Sequence, residues 1–147
     1  MTAEVFVDSN VLVYARDASE PAKQEKALAW MESLWSSGAG RLSSQVLQEF
    51  YVTVTEKLKP GLDVATARGD VRSLAAWRPI PVDIRVMEGA WSIEDRFRLS
   101  WWDGLIVAAA QIGGCRYLLS EDFQEGQKFG SVRVIHPFRT SPDSINP

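Results

Sequence analysis

Short apolar segments alternate along this chain with longer segments of helical period, and this alternation limits the folds that it can adopt. Residues 4–7, Tyr117–Leu119 and Val132–Ile135 are brief and apolar, as buried strands are. The segment Trp101–Ile112 is apolar on nearly every side of a helix, so we expect it to be buried. Apolar strands separated by helices are typical of a mostly parallel sheet covered on both faces. The sequence therefore predicts the α/β class, with an α/β/α sandwich around a central parallel sheet.

Capping residues and glycines mark where the predicted helices begin and end. An amphipathic helix follows Ser19, its predicted N-cap, with Pro21 in the first turn and Gly38 just beyond the end. The β-branched run at residues 52–55 would suit a strand, but the longer helical period around it favours a helix. The remaining predicted N-caps are Ser43 or Ser44, Asp63, Asp83 and Ser100.

The chain is long enough for one domain with a substantial core. It has 147 residues, and no apolar run in it approaches the roughly 18–20 residues that span a bilayer. Residues 1–4 have no basic flank and lead straight into a strand-like segment, unlike a signal peptide, and the single cysteine, Cys115, fits a reducing compartment. We therefore predict a cytoplasmic protein without membrane association. Its domain would span residues 1–139, followed by a polar, flexible tail over 140–147.

Charge and histidine content exclude some functions. The formal net charge of −3 argues against a protein that coats nucleic acid non-specifically. It does not argue against a local acidic metal site, because the metal supplies positive charge there. His136 is the single histidine, so a ribonuclease mechanism based on two histidines is excluded. Four large apolar residues of the first long helix belong mostly to the core, and any that are exposed would form a groove for a partner helix: Trp30, Met31, Leu34 and Trp35.

Acidic residues follow two of the predicted strands. Asp8 lies just past the first strand, and Glu121 and Asp122 lie just past Tyr117–Leu119. Sites in parallel sheets form beyond the carboxyl ends of the strands, so these acids are candidates for a common site. Each also has a simpler structural explanation, as a helix cap for Asp8, a turn residue for Asp122 and a solvated side chain for Glu121.

Two further acids lie on predicted helices. Asp103 stands three residues after Ser100, which is the spacing of a capping box, and Glu49 lies at the border of the apolar stripe of its helix. Carboxylates are the ligands that Mg²⁺ and Mn²⁺ prefer, and three or four of them in one place would repel one another without a cation. With a cation, such a cluster can activate water and steady an in-line phosphoryl displacement.

Four stretches of the chain resemble the acidic motifs of PIN-domain nucleases, and most of all those of the VapC toxins of bacterial toxin–antitoxin pairs. They are residues 7–12 (VDSNVL), 45–50 (QVLQEF), 99–110 (LSWWDGLIVAAA) and 118–123 (LLSEDF), in an order and spacing that fit the family over almost the whole chain. This resemblance implies a PIN-domain-like fold with a central sheet of about five parallel strands.

The resemblance also implies a role for each motif residue. Asp8, Glu49 and Asp103 would hold the principal Mg²⁺ or Mn²⁺ directly or through water, and Asp122 would complete the catalytic pocket through water or at a second, weaker metal. Glu121 competes with Asp122 for the fourth place. We choose Asp122 because it follows the strand-end hydroxyl by two residues, as in the family. Three neighbouring polar residues would orient these ligands: Ser9, Asn10 and Ser120.

By the same resemblance, the chain is expected to be a metal-dependent endoribonuclease and the toxin of a toxin–antitoxin pair. Its substrate would be a structured RNA such as tRNA or rRNA, and it would form a homodimer. A cognate antitoxin would neutralise it by laying its C-terminal segment across the cleft. Two alternatives stay open: an aspartate-based phosphotransfer protein with Asp8 as covalent acceptor, and a catalytically silent PIN-like binding module.

Overall fold

Five strands form one sheet at the centre of the computed structural model, which describes residues 3–145 of the chain. The sheet has the order β2-β1-β3-β5-β4, in which the first four strands are parallel and β4 runs antiparallel to β5. The strands are β1 (Val5–Val7), β2 (Gly40–Arg41), β3 (Tyr117–Leu119), β4 (Lys128–Phe129) and β5 (Val132–Ile135). The predicted α/β fold with a central, mostly parallel sheet is confirmed, whereas the short antiparallel strand β4 was not predicted.

The described residues form six α-helices, most of them close to the predicted positions. They are α1 (Ser9–Tyr14), α2 (Pro21–Ser37), α3 (Ser44–Val52), α4 (Val64–Leu74), α5 (Ile84–Phe97) and α6 (Trp101–Ile112). A π-helical turn, Thr53–Lys57, continues α3, so the β-branched run is helical as predicted. Two short 3₁₀ turns follow later in the chain, at Ala75–Trp77 and Pro142–Ser144. No helix among the described residues is long and apolar enough to cross a membrane.

Serine and aspartate side chains cap the starts of helices α3 to α6. Ser43, Asp63, Asp83 and Ser100 each accept a hydrogen bond from the backbone N–H three residues on, as predicted. The predicted cap of α2 was wrong. Glu20 occupies that position without a side-chain bond, because the backbone N–H and hydroxyl of Ser19 both donate to Asp17 in the preceding turn.

Parallel pairing brings the ends of three strands to one edge of the sheet. Val7 is level with Leu119, and Leu119 is level with Ile135. The backbone N–H of Asp8 donates to the carbonyl of Leu119 at 3.0 Å, which carries the pairing one residue beyond β1. The residues that follow these strands therefore emerge side by side at the carboxyl edge, and the last residues of β1 and β3, Val7 and Leu119, are fully buried.

The close packing of α5 on α6 depends on small residues. A side chain at Gly89 would meet the Cβ of Ala108 at 3.2 Å, and one at Gly104 would meet the carbonyl of Ala90 at 3.4 Å. The two helices therefore approach closely, and α6 is buried as predicted along Gly104–Ala110.

The segment after β5 is held against α2 by hydrogen bonds from α2 side chains to its backbone carbonyls. The indole N–H of Trp30 donates to the carbonyls of Pro137 and Thr140, at 2.9 and 3.1 Å. Residues 146 and 147 of the predicted tail lie outside the described residues, and the domain boundary at residue 139 stays a prediction.

Candidate functional site

Four acidic side chains from four separate parts of the chain lie near the carboxyl edge of the sheet. Asp8 follows β1, Glu49 lies in α3, Asp103 lies in the first turn of α6, and Asp122 follows β3. The charge of Asp122 raises the pKa values of the other three carboxyl groups, so Asp122 lies within range of electrostatic repulsion from each of them. We name these four residues the acidic cluster.

Asp8 is the most deeply buried member of the acidic cluster. It is 4% exposed, and burial, with smaller contributions from Asp122 and Glu49, raises its pKa from 3.8 to about 7. One carboxylate oxygen, Oδ1, accepts from the backbone N–H of Ser9 at 2.8 Å, which also caps α1. The other, Oδ2, accepts from the hydroxyl of Ser120 at 2.7 Å. Asp8 is therefore a helix cap as well as a member of the site.

Asn10 connects the two aspartates that follow strands. Its amide nitrogen donates to Asp122 Oδ2 at 3.1 Å, to the hydroxyl of Ser120 at 3.2 Å and, more weakly, to Asp8 Oδ2 at 3.5 Å. The amide oxygen of Asn10 is buried and has no partner within the described part of the chain. Ser120 also accepts from the backbone N–H of Asp122 at 3.1 Å. Asn10 and Ser120 thus contact the acids that they were predicted to orient.

Glu49 is held by two neutral side chains. The hydroxyl of Ser9 donates to Glu49 Oε1 at 3.3 Å, and the amide of Gln45 donates to Oε2 at 3.5 Å. Partial burial raises the pKa of Glu49, and the charges of Asp103 and Asp122 raise it further. Ser9 therefore links the start of α1 to helix α3.

Asp103 combines a capping position with a place in the acidic cluster. Its backbone N–H donates to the hydroxyl of Ser100 at 3.2 Å, which starts α6. Partial burial raises the pKa of its carboxyl group, the charge of Asp122 adds to this rise, and a side-chain hydrogen bond with Ser100 opposes it. The capping explanation and the site explanation are therefore compatible.

The two adjacent acids after β3 have different surroundings. Glu121 forms an ion pair with Lys23 at 3.3 Å, on the α2 side of the turn. Asp122 accepts from Asn10 and acts electrostatically on the other three acids. This geometry favours Asp122 as the fourth acid, which stays a prediction.

Gln45 is a residue of the site that the sequence did not reveal. It is buried, 8% exposed, and donates both to Glu49 and to the carbonyl of Trp102 at the start of α6. Gln45 precedes Glu49 by four residues, which places the two side chains on one helical face. This four-residue spacing was the one feature of the sequence that could have identified Gln45, but an uncharged residue beside an apolar stripe has no distinctive pattern of its own.

The oxygen atoms of these side chains are of the kind that a hard divalent cation prefers, although the carboxylates do not converge on one point. Across residues 3–145, no three acidic, histidine or cysteine side chains converge closely enough to hold a metal ion by themselves. Instead, the amide of Asn10 and the hydroxyls of Ser9 and Ser120 lie between the carboxylates. Mg²⁺ keeps several waters and binds through only one or two carboxylates, so a partly water-filled site fits these residues. A hydrated cation would reduce the repulsion between the acids, and its water would supply a hydrogen-bond donor for the unpartnered oxygen of Asn10.

The contacts of His136 and Cys115 indicate structural rather than catalytic roles. The ring nitrogen Nδ1 of His136 accepts from the backbone N–H of Phe138 at 3.2 Å. Cys115 is buried, and burial raises the pKa of its thiol to about 12, so it is not a reactive thiolate.

An apolar groove of about 560 Å³ lies beside α2, and we name it the α2 groove. Trp30 and Leu34 are core residues, whereas Trp35 is 43% exposed and Leu28 is 50% exposed. The ion pair of Arg16 with Asp70, at 2.6 Å, contributes polar groups to the lining. The main apolar side chains of the groove are Leu12, Leu28, Met31, Trp35, Phe50 and Leu74.

Comparison with known proteins gives a family match and two similar folds. The family model of the PIN domain matches residues 5–125. No curated protein sequence matches the chain. A toxin–antitoxin complex from Klebsiella pneumoniae contains a chain with 14% identity and a TM-score of 0.63, covering 91% of this chain and 98% of that one. VapC20 of Mycobacterium tuberculosis, described as a toxin that cleaves the sarcin–ricin loop, has 21% identity and a TM-score of 0.59, covering 88% of this chain and 99% of that one.

Proposed function

Because the chain belongs to the PIN-domain family, we propose that it is a metal-dependent endoribonuclease and the toxin of a toxin–antitoxin pair. The observation that carries this proposal is the acidic cluster. Its four carboxyl groups come from four separate parts of the chain and lie within electrostatic range of Asp122 at the carboxyl edge of a parallel sheet, where sites in such folds form. No simple structural role requires four acids to repel one another at one place.

In this proposal, Asp8, Glu49 and Asp103 hold Mg²⁺ or Mn²⁺ directly or through water, and Asp122 completes the site. A divalent cation bound there supplies positive charge that favours ionisation of an attacking water and offsets charge on the phosphodiester. The protein's own contribution is to hold the carboxylates in place while they repel one another. The hydroxyl of Ser120 and the amide of Asn10 hold Asp8 and Asp122, and the hydroxyl of Ser9 holds Glu49.

The proposed substrate is a structured RNA such as tRNA or rRNA. The similarity of the fold to a toxin described as cleaving the sarcin–ricin loop supports RNA over a small phosphate ester. The net charge of −3 does not favour the approach of RNA, and bound cations or local basic side chains would assist it. We also propose that the chain acts in the cytoplasm as a homodimer.

The proposed partner is a cognate antitoxin. The fold of a chain in a toxin–antitoxin complex is similar to this one, and the α2 groove exposes large apolar side chains. An exposed apolar groove of this kind is suited to the apolar face of a partner segment. Covering Trp35 and Leu28 would be the main apolar contribution to such a contact.

A cleavage assay tests the nuclease proposal. Purified wild type is incubated with total tRNA and rRNA fragments in Mg²⁺ or Mn²⁺, beside Asp8→Asn and Asp103→Asn. We expect each variant to lose at least about 100-fold in cleavage rate, because loss of groups that merely orient metal ligands already costs 10–100-fold. Asp95→Asn, an exposed acid on α5, is the matched control and should cleave like wild type. Undiminished cleavage by both site variants would contradict the assignment.

Wild type and Asp8→Asn also test the two alternatives, the phosphotransfer protein and the silent binding module. The phosphotransfer alternative is disfavoured because Asp8 is 4% exposed and both of its carboxylate oxygens accept hydrogen bonds. Trapping of an acid-stable aspartyl phosphate on wild type, absent from Asp8→Asn, would nevertheless support it. A wild type that neither cleaves RNA nor binds Mn²⁺ at millimolar concentration would support the silent binding module.

A further inference from the structure

We propose that Gln45 is a positioning residue that fixes Glu49 relative to the start of α6, and with it relative to Asp103. The inference rests on the proposed function, because its role is to set the spacing of two proposed metal ligands. Gln45 touches neither the substrate nor a cation in this account, and it acts through the groups that it binds.

The hydrogen bonds of Gln45 determine how its amide is oriented. The nitrogen Nε2 lies 3.5 Å from Glu49 Oε2 and 3.2 Å from the carbonyl oxygen of Trp102. A carboxylate and a carbonyl are both acceptors, so only the NH₂ end of the amide can face them. The two protons of one amide group are thus directed at two different helices.

These two bonds join the elements that carry Glu49 and Asp103. Glu49 lies one helical turn after Gln45 in α3, and Trp102 immediately precedes Asp103 in α6. Gln45 is 8% exposed, so water cannot readily replace it as the link. A change in this bond would therefore alter the distance between the two carboxylates.

The amide oxygen of Gln45 gives an independent sign that the contact is built for a ligand. Oε1 is buried and has no hydrogen-bond partner in the part of the chain that the structure describes. Buried polar atoms without a partner are rare in native proteins, and one beside an acidic cluster is explained by a donor that arrives with the ligands. A water molecule that enters with the cation is such a donor.

Gln45→Met tests this role because methionine keeps the length and shape of glutamine but donates no hydrogen bond. Mn²⁺ binding is measured by titration calorimetry and by the electron paramagnetic resonance of free Mn²⁺. We expect the Kd for Mn²⁺ to rise about tenfold, as is typical when a partner of a metal ligand is lost. At saturating Mn²⁺, kcat for RNA cleavage should fall while KM changes little. Gln48→Met is the matched control, since Gln48 is exposed on the same helix.

A double-mutant cycle separates positioning from packing. If Gln45 acts through Glu49, Gln45→Met should change the Kd little when it is introduced into Glu49→Gln. Thermal melting of each variant shows whether it is folded. A Gln45→Met protein that melts like wild type and binds Mn²⁺ as tightly would overturn the inference and leave the nuclease proposal standing. Additive effects of the two substitutions would overturn it as well. A wild type that binds no Mn²⁺ would overturn the proposed function, and this inference with it.

Discussion

Asp8 shows how one residue can be both costly to the fold and useful to the site. A carboxylate that is removed from water ionises reluctantly, and burial is the main reason that its pKa rises from 3.8 to about 7. Hydrogen bonds from Ser120 and Ser9 favour the ionised form but do not offset burial. The unfolded chain would release this proton near pH 4, whereas the folded chain keeps it until near pH 7. Asp8 therefore makes the folded state less stable as the pH rises from about 4 to about 7.

Asp8→Asn should accordingly stabilise the metal-free protein at high pH. At pH 8 we expect its free energy of unfolding to exceed that of wild type by up to about 4 kcal/mol, since one pKa unit corresponds to about 1.4 kcal/mol. Below about pH 3 the difference should nearly vanish, because Asp8 is then largely protonated in both states. Urea denaturation in EDTA at several pH values measures this. A difference that is the same at every pH would contradict the assigned burial effect.

At the scale of single residues, the acidic residues of the site were easier to predict from the sequence than the neutral side chains that donate hydrogen bonds to them. Asp8 and Asp122 stood out because each follows a strand, and Asp103 stood out because it follows a cap. Gln45 did not, because its importance depends on the approach of α6, which lies more than fifty residues further along the chain. The predicted Ser19 cap failed for a local reason, because the backbone N–H and the hydroxyl of Ser19 both donate to Asp17.

At the scale of elements, three of the four acids lie either directly after a strand or in the first turn of a helix. Asp8 begins α1 at the end of β1, and Asp103 sits in the first turn of α6. Glu49 is different because it comes from within α3, where Ser9 and Gln45 fix it from two sides. The site is therefore held by backbone elements, with short polar bridges between them.

Gly40→Ala should destabilise the junction between β2 and the turn after α4. A Cβ at Gly40 would lie 2.5 Å from the ring of Trp77, which is buried and packs against Trp35 at 5.0 Å between ring centroids. Overpacking of this kind costs about 1–3 kcal/mol, and we expect that loss in the free energy of unfolding.

Gly69→Ala is the matched control for that experiment. Gly69 lies inside α4, and a Cβ there would meet nothing within 4 Å. Alanine should raise the free energy of unfolding by as much as about 1 kcal/mol because it favours the helix. Urea denaturation of both variants measures the two effects. Equal effects from the two substitutions would contradict the packing described at Gly40.

Long helices and buried strands could be predicted at the element scale, whereas the shortest strands could not. Capping residues marked the starts of α3 to α6, since their side chains bond locally. Strand β4 has only two residues, Lys128–Phe129, and forms by antiparallel pairing with β5. Two residues carry no periodic pattern, so such a strand depends on tertiary contact alone.

At the scale of the whole molecule, fold and function depend on the same arrangement of the sheet. Parallel pairing of β1 with β3 brings Asp8 and Asp122 to one edge, although more than one hundred residues separate them. The order of strands, and which apolar residues of α2 are exposed, were not evident from composition or periodicity, because both depend on how the elements pack. The resemblance of four motifs supplied the missing long-range information, and the PIN-domain match over residues 5–125 agrees with it.

The central claim is that the acidic cluster forms one divalent-cation site, and anomalous diffraction from crystals grown with millimolar Mn²⁺ tests it most directly. We predict an anomalous peak among the carboxylates of Asp8, Glu49 and Asp103 in wild type, and its loss in Asp8→Asn. A fully occupied Mn²⁺ elsewhere, or no peak at this edge of the sheet in well-ordered crystals, would contradict the claim.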